Sequence, residues 1–344
     1  MTGRPVRVAL VGYGSAGRGI HLPLLRAAGG APVVVVTANP QRVAQARADL
    51  PSASVVPDLA AALATGPDLV VLASPTGVHA EQAHACIAAG VPVLVDKPLT
   101  TQARTAQAVT EAALVAGVPL TVFQNRRWDA ENLTLRRLLT AGVLGEVYRF
   151  ERRWERWRPV PQQRWRENAP ADEGGGLLLD LHSHLVDSAC QLFGPVDAVY
   201  AELAARSTPA EDEAFLALRH RSGVRSHLCA GSLTGAPGPR TRVLAAHGSY
   251  VVTSFEAEPA AFGGFADAAG NCGWLVAGQT RTPVPAAPGG PQDIYPAVLR
   301  ALDQPDPQAR QAAMPVAPAD AVAVLRVLDA ARQSATRGEV VRLG

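Results

Sequence analysis

The run RVALVGYGSAG, residues 7–17, decides the fold. Arg7–Val11 has the β-branched, apolar composition of a buried strand, and it runs without a linker into Gly12-Tyr13-Gly14-Ser15-Ala16-Gly17. A GxGxxG that follows a strand and opens a helix is the context in which the motif predicts dinucleotide binding. Gly12 permits the tight turn, Gly14 lets backbone N–H groups approach a pyrophosphate, and Gly17 allows the helix to pack closely on the strand. The phosphates are then expected at the helix N-terminus, where unpaired N–H groups and the helix dipole favour anions. The competing reading is a glycine-rich turn with a purely structural role.

Working outward, residues 6–123 alternate short β-rich runs with Ala-rich stretches of helical length. The strands expected are Arg7–Val11, Val33–Thr37, Ser54–Val56, Leu69–Ala73, Pro92–Val95 and Pro119–Phe123, with helices over Gly77–Ala89 and Thr101–Ala116. That alternation predicts a parallel sheet with helices on both faces. Asp129 is placed to cap a helix ending near Gly142, after which VYRFERRWERW reads as a long strand with Tyr148, Phe150 and Trp154 on one face. Further alternating runs lie at Asp197–Ala205, Glu213–His220, Val224–Ala230, Arg242–Ala246 and Tyr250–Glu256, with a strong helix at Leu177–Phe193 and a closing helix at Ala317–Ala335. Residues 257–291, rich in Ala, Gly and Pro, offer few elements. The expectation is an α/β chain: a Rossmann doubly wound parallel sheet in residues 1–125, then an α+β domain in 126–344 with an open, mostly antiparallel sheet. The closing helix is free to pack on either domain.

Composition narrows the function. The chain has 344 residues, 48% of them apolar, which suits two domains with substantial cores. A formal charge of +2 without a block of like charges gives no nucleic-acid arm. The cysteines Cys86, Cys190, Cys229 and Cys272 form no CxxC pair, which argues against a zinc site or disulfide framework and for a reduced, cytoplasmic protein. No apolar run reaches membrane-spanning length and no export signal is legible.

The second strand chooses between dinucleotides. NAD sites generally end it with Asp or Glu, whereas here the run is Thr37-Ala38-Asn39-Pro40-Gln41-Arg42. A neutral Thr37 and Asn39, with Arg42 a helical turn away, suit a 2′-phosphate, so NADP is expected over NAD; as an ordinary solvated residue, Arg42 would carry no such meaning. At the end of the fifth strand stands Asp96-Lys97-Pro98, on the sheet edge where ligands of open α/β folds bind. A desolvated amine beside a cationic ring gives up its proton more readily, which suits removal of a hydroxyl proton during hydride transfer. In Gly174-Gly175-Gly176-Leu-Leu-Leu-Asp180-Leu-His182-Ser183-His184-Leu-Val-Asp187, a continuous helix would put Asp180, His184 and Asp187 on one face and an imidazole between two carboxylates. His184 is then a candidate proton carrier and Asp180 its orienting partner or a substrate contact; the plainer reading makes them solvent-facing helix residues. His182 and His184, at i and i+2, diverge and cannot chelate one ion, so no metal is expected. Trp128, Trp154, Trp157 and Trp165 fall in one Arg-rich region, and Trp128, Trp154, Arg164 and Trp165 are candidates to line a substrate cleft, with core or interface packing the alternative.

These motifs resemble the Gfo/Idh/MocA oxidoreductases over nearly the whole length: GYGSAG, the turn Ala73-Ser74-Pro75-Thr76 followed by His79, Asp96-Lys97-Pro98 for the family's Glu-Lys-Pro, and GGGLLLDLHSH. Phe123-Gln-Asn-Arg-Arg-Trp128-Asp and Arg164-Trp165-Arg are similar to the subgroup with NADP-dependent scyllo-inositol 2-dehydrogenases. The resemblance implies Lys97, Asp180 and His184 as the catalytic set. It also implies Ser74, Pro75, Thr76, His79, Lys97 and Asn125 around the nicotinamide, a polyol or sugar substrate, and a dimer or dimer of dimers built through the open sheet. Asp96, one methylene shorter than Glu, leaves its ribose contact open. The alternatives are a non-catalytic NADP-binding sensor of the same fold and a reductase for another carbonyl substrate.

Overall fold

The computed structural model describes residues 5–162, 164–253 and 269–344. Two compact units emerge: residues 1–125 with 291–322, and residues 126–290 with 323–344. The stretch 291–322 therefore groups with the first unit rather than with the second.

In the first unit, β1 (Arg7–Val11), β2 (Ala31–Val36), β3 (Ser54–Val56), β4 (Leu69–Leu72), β5 (Val93–Asp96) and β6 (Leu120–Phe123) form a parallel sheet in the order β3-β2-β1-β4-β5-β6. The strand order reverses between β1 and β4, and that switch point is where such folds bind ligands. Both β4 and β5 are buried along their entire length, as continuous apolar runs must be when helices cover both faces. The helices Pro40–Asp49 and Leu59–Leu63 begin on side-chain caps, with Asn39 accepting from the Arg42 N–H at 3.1 Å and Asp58 from that of Ala61 at 2.8 Å. The helix ending at Ala116 stops at Gly117, whose φ of 64° is the left-handed conformation that favours glycine.

The glycine turn binds three elements into one body. Gly12 has a φ of 92°, and a Cβ there would stand 2.5 Å from the Ala73 carbonyl oxygen beyond β4. A Cβ on Gly17 would collide with the Gly12 carbonyl. At the other side of the sheet, β6 would be a bare edge. The Gln311 amide closes it, accepting from the Leu120 N–H at 2.8 Å and donating to the Leu120 carbonyl at 3.0 Å, while the Thr121 hydroxyl donates to the Val316 carbonyl at 2.8 Å.

The second unit carries a nine-stranded sheet among the described residues. Its strands are β7 (Val147–Glu155), β8 (Val196–Ala204), β9 (Glu213–His220), β10 (Arg225–Gly231), β11 (Thr241–Ala245), β12 (Gly248–Val252), β13 (Asn271–Ala277), β14 (Thr280–Pro285) and β15 (Val341–Arg342). The order is β14-β13-β12-β11-β7-β10-β9-β8-β15, antiparallel except at β7 and β10. The β13–β14 hairpin lies in the stretch where the sequence offered few elements, and residues 254–256 of the expected strand Tyr250–Glu256 lie outside the described residues. On β7, Phe150, Arg152 and Trp154 are buried while Tyr148, expected on that face, is 55% exposed near the strand's start.

Burying Arg152 at 1% exposure requires compensation. Its Nε donates to Thr241 Oγ1 at 2.9 Å and its Nη1 to Asn132 Oδ1 at 2.6 Å, and Glu131 stands 3.9 Å away. Arg240 donates to Glu131 at 2.8 Å. Burial alone would push the Glu131 carboxyl up, but the Arg152 and Arg240 charges and the hydrogen bonds from Arg240 and Thr241 outweigh it and hold the group at about 2.

Glu131→Ala leaves two buried guanidinium groups short of their carboxylate and is expected to cost about 3–5 kcal/mol in chemical denaturation. Because the folded value lies below the ordinary 4.5, the stability contributed by Glu131 is complete above that pH and is lost as pH falls toward about 2. The variant should accordingly show a flatter acid limb in a pH series of melting curves than the parent, and an unchanged limb would contradict the assignment.

Candidate active site

At the mouth of the glycine turn, the Gly12 N–H donates to the Val36 carbonyl at 3.0 Å, and the helix backbone begins when the Arg18 N–H reaches the Gly14 carbonyl at 2.9 Å. Gly14 differs from its neighbours. A Cβ there would meet no backbone; the nearest atoms are those of the Arg42 guanidinium, at 3.7–3.8 Å. The protein's own packing demands Gly12 and Gly17, whereas the bare backbone at Gly14 leaves room between the loop and a cation. That is the space and the charge a pyrophosphate and a ribose phosphate would use, so these residues fit a phosphorylated dinucleotide.

A shallow basin beside the turn is lined by Tyr13, Gly14, Ser15, Arg18, Gln41 and Arg42. Its side chains are held from below. Tyr13, 1% exposed, donates its hydroxyl to Asp49 at 2.9 Å, and burial pushes its pKa up to about 12. Arg18 also donates to Asp49, at 2.6 Å. Arg42 and Asn39 are exposed and Thr37 is buried at the end of β2.

Lys97 follows β5 directly, and the Lys97–Pro98 peptide is cis. Of the 32 Lys and Arg residues in the chain, Lys97 alone is lysine, a signal that motif reading passed over. The loop it sits on is pinned from two sides. His79, expected near the nicotinamide, is 1% exposed, with Nδ1 3.0 Å from the Pro98 carbonyl and Nε2 2.9 Å from the Ser74 carbonyl. The ring thus joins the turn after β4 to the turn after β5, and burial lowers its pKa despite the Asp96 charge. Ser74 donates to Gln82 at 2.6 Å, Thr76 is buried beside the exposed Pro75, and Asn125 opens the short turn Asn125–Trp128.

Asp96, the residue that departs from the resembled pattern, turns inward. Its Oδ1 accepts from the Lys97 N–H at 2.9 Å and faces His21 Nε2 at 3.8 Å, while His21 Nδ1 lies 2.8 Å from the Tyr295 hydroxyl. Burial would raise the Asp96 pKa, but the His21 ring and the charges of Lys97 and His79 outweigh it and hold the carboxyl below its usual range. Tyr295 belongs to the 291–322 stretch, so the far end of the chain supports the base of the Lys97 loop.

In the second unit the helix expected over Leu177–Phe193 divides. Leu178–His182 is a π-helical turn and Ser183–Phe193 is α-helical. Each of the two carboxylates expected beside the imidazole faces an arginine. Asp187 is 2% exposed and takes both Nε and Nη2 of Arg127, at 2.8 and 2.6 Å. Asp180 is half-buried and stands 3.4 Å from Arg166 Nε. His182 is fully buried, 3.4 Å from the Leu228 carbonyl, and burial takes its pKa down to about 4. His184 is 6% exposed and its ring lies 5.7 Å from that of Trp154.

Trp154, at 4% exposure, is a core residue rather than a cleft wall. Arg126, Arg156 and Arg240 all place their guanidinium groups about its ring, at 5.0, 5.1 and 4.9 Å. Trp128 is half-buried. Arg164 donates to Glu167 at 2.9 Å, and Trp165, also half-buried, lies under the Arg166 guanidinium at 4.9 Å. Asp180 and Arg164 line a common cleft in this unit, while Trp154, Trp165 and His184 are not among its lining residues.

Comparison with known proteins agrees with this arrangement. Residues 6–124 match the oxidoreductase family with an NAD-binding Rossmann fold, and residues 132–251 match the GFO/IDH/MocA C-terminal domain. Among curated relatives, scyllo-inositol 2-dehydrogenase (NADP(+)) IolW of Bacillus subtilis is 33% identical over 72% of this chain and 68% of its own. The solved structure of the oxidoreductase YvaA of Bacillus subtilis superposes with a TM-score of 0.84 at 27% identity, covering 98% of each chain. The WlbA dehydrogenase of Bordetella pertussis, solved with NADH and UDP-GlcNAcA, superposes with a TM-score of 0.77 at 27% identity over 99% of each chain. With matched models over both halves of its sheet architecture, the chain belongs to the Gfo/Idh/MocA family of oxidoreductases.

Proposed function

We propose that the chain is an NADP-dependent dehydrogenase acting on a CH–OH carbon of a polyol or sugar ring. The observation that carries the reading is the single lysine of the chain, placed directly after β5. Arginine keeps its proton at any working pH and cannot serve as a base. In a chain whose other cations are all arginine, the side-chain amine able to release and accept a proton stands on the edge where ligands of this fold bind.

Bound at the glycine turn, the nicotinamide dinucleotide supplies the site that accepts or returns the hydride. The chain's residues do the remainder. The Lys97 amine takes the hydroxyl proton as the alcohol becomes a carbonyl, and returns it in the reverse direction. Asp180 and His184 hold the substrate's hydroxyl side, with His184 kept in a water-poor setting by its burial beside Trp154. Arg42 receives the 2′-phosphate, in support of NADP, and the relative named for NADP(+) is consistent with that choice. The NADH-bound WlbA relative shows that NAD use also occurs on this fold.

Lys97→Ala is expected to lower turnover by about a thousandfold or more, in the range of a lost acid–base group, with NADPH affinity by fluorescence titration nearly unchanged. Lys97→Arg should be equally inactive, because it keeps the charge and loses the titratable amine; wild-type rates at 340 nm in either variant would refute the role. Gly14→Ala should keep the parent's melting temperature, since nothing in the fold opposes that Cβ, and weaken dinucleotide binding about tenfold or more. Arg42→Ala should reduce the preference for NADP over NAD, read as the ratio of the two Michaelis constants.

A further inference from the structure

The cleft beside Asp180 has a composition that a neutral polyol does not explain. Its floor is the start of the π-helical turn, at Gly176, Leu177 and Asp180, and its wall is the segment after β7, which contributes Arg156, Arg158, Arg164 and Arg166. A wall of guanidinium groups offers only donors. Of these, Arg164 and Arg166 already face carboxylates of the cleft, Glu167 and Asp180.

The carboxylates lining the same cleft are engaged. Glu167 accepts from Arg164 at 2.9 Å, and Glu211 faces Arg332, which is not among the lining residues, at 3.4 Å. Asp212 closes its own turn, accepting from the N–H groups of Arg206 and Ser207 at 2.7 and 2.9 Å. Asp180 faces Arg166. Among the described residues, no carboxylate comes within ion-pair distance of Arg158. Its backbone is nonetheless fixed, with the N–H donating to the Ser232 carbonyl at 2.7 Å. Arg158, half-buried on a fixed backbone and without a carboxylate partner among the described residues, lines the cleft that holds Asp180 and is arranged for an anion that arrives with the ligand.

We infer that the substrate is an anionic sugar derivative, bearing a carboxylate or phosphate that Arg158 receives while the ring lies toward Asp180. The inference rests on the dehydrogenase reading above and specifies its substrate class. Carboxylate and phosphate each present paired anionic acceptor oxygens that a guanidinium fork matches, and paired substrates separate them.

The test compares D-glucuronate and glucose 6-phosphate with D-glucose and myo-inositol, by absorbance at 340 nm with NADP and by calorimetric titration of the NADP-loaded protein. The expected result is a kcat/KM for one anionic compound about ten- to hundredfold above that of its neutral parent, the scale of a charge-assisted contact. Arg158→Gln should erase most of that preference through KM without altering NADP affinity, and Arg158→Lys should restore part of it. Neutral compounds turned over as well as their anionic partners, or a preference intact in Arg158→Gln, would overturn the inference. Should none of the compounds be oxidised, the dehydrogenase reading is what fails. The calorimetry then decides separately: anion binding lost in Arg158→Gln supports the subsite, and equal heats for anion and neutral sugar, or for variant and parent, reject it.

Discussion

Three pieces of backbone meet at Gly12 with no room for a side chain between them. The turn after β1 lies against the Ala73 carbonyl beyond β4, and the following helix approaches so closely that Gly17 touches the Gly12 carbonyl. Everything that positions the dinucleotide site follows from that approach: the switch point of the sheet, the aim of the helix start and the placement of Arg42 over the loop. The same constraint explains the division of labour among the glycines. Two are required by the protein's own contacts, and the third, Gly14, is bare toward solvent and toward a cation. The loop is therefore shaped partly by packing and partly for something the packing does not include.

Around that turn the molecule spends buried polar groups on holding loops rather than on surface charge. His79 bridges two sheet turns through their carbonyls, and Tyr295, His21 and Asp96 run in series to the loop that bears Lys97. In the second unit, buried arginines meet Glu131 and Asp187, and three guanidinium groups gather on Trp154. Such groups are costly to bury and costly to orphan, so each network fixes its members in one arrangement. The proton transfer proposed for the Lys97 amine would benefit from that kind of rigid floor.

Much of this was legible in the sequence. All six strands of the first sheet were placed within about two residues, because a parallel strand buried on both faces is an uninterrupted apolar run bounded by turn residues, and Glu213–His220 was placed to the residue. The β13–β14 hairpin was not, since its Ala, Gly and Pro content carries little strand propensity and its pairing with β12 supplies what propensity does not. The arginine partners of the two carboxylates expected beside His184 were not legible, for a different reason. Helical spacing assumes α geometry, and a π turn at Leu178–His182 together with the pull of Arg127 on Asp187 lies beyond what spacing reports. Trp154 was read as a sugar platform because aromatic and arginine residues cluster in both cores and clefts; burial alone separates them. The lone lysine was open to counting from the start. In a chain that uses arginine everywhere else, Lys97 is the one departure from that habit, and the proposed role rests on it.

The stretch 291–322 completes the first unit after most of the second has been written. Gln311 and Val316 close the β6 edge, and Tyr295 reaches His21, from positions more than a hundred and fifty residues downstream of the strands they serve. The two units are thus interleaved in the chain rather than joined end to end, since residues 323–344, with β15 beside β8, return to the second. On the ribosome, the dinucleotide sheet emerges first yet waits with an open border until residues 126–290 have been made. A fragment cut after Asn125 would carry the phosphate loop and Lys97 but would lack the pieces that seal the sheet and brace that lysine's turn. For the same reason, exchange of substrate units between relatives by recombination would require three crossover points instead of one.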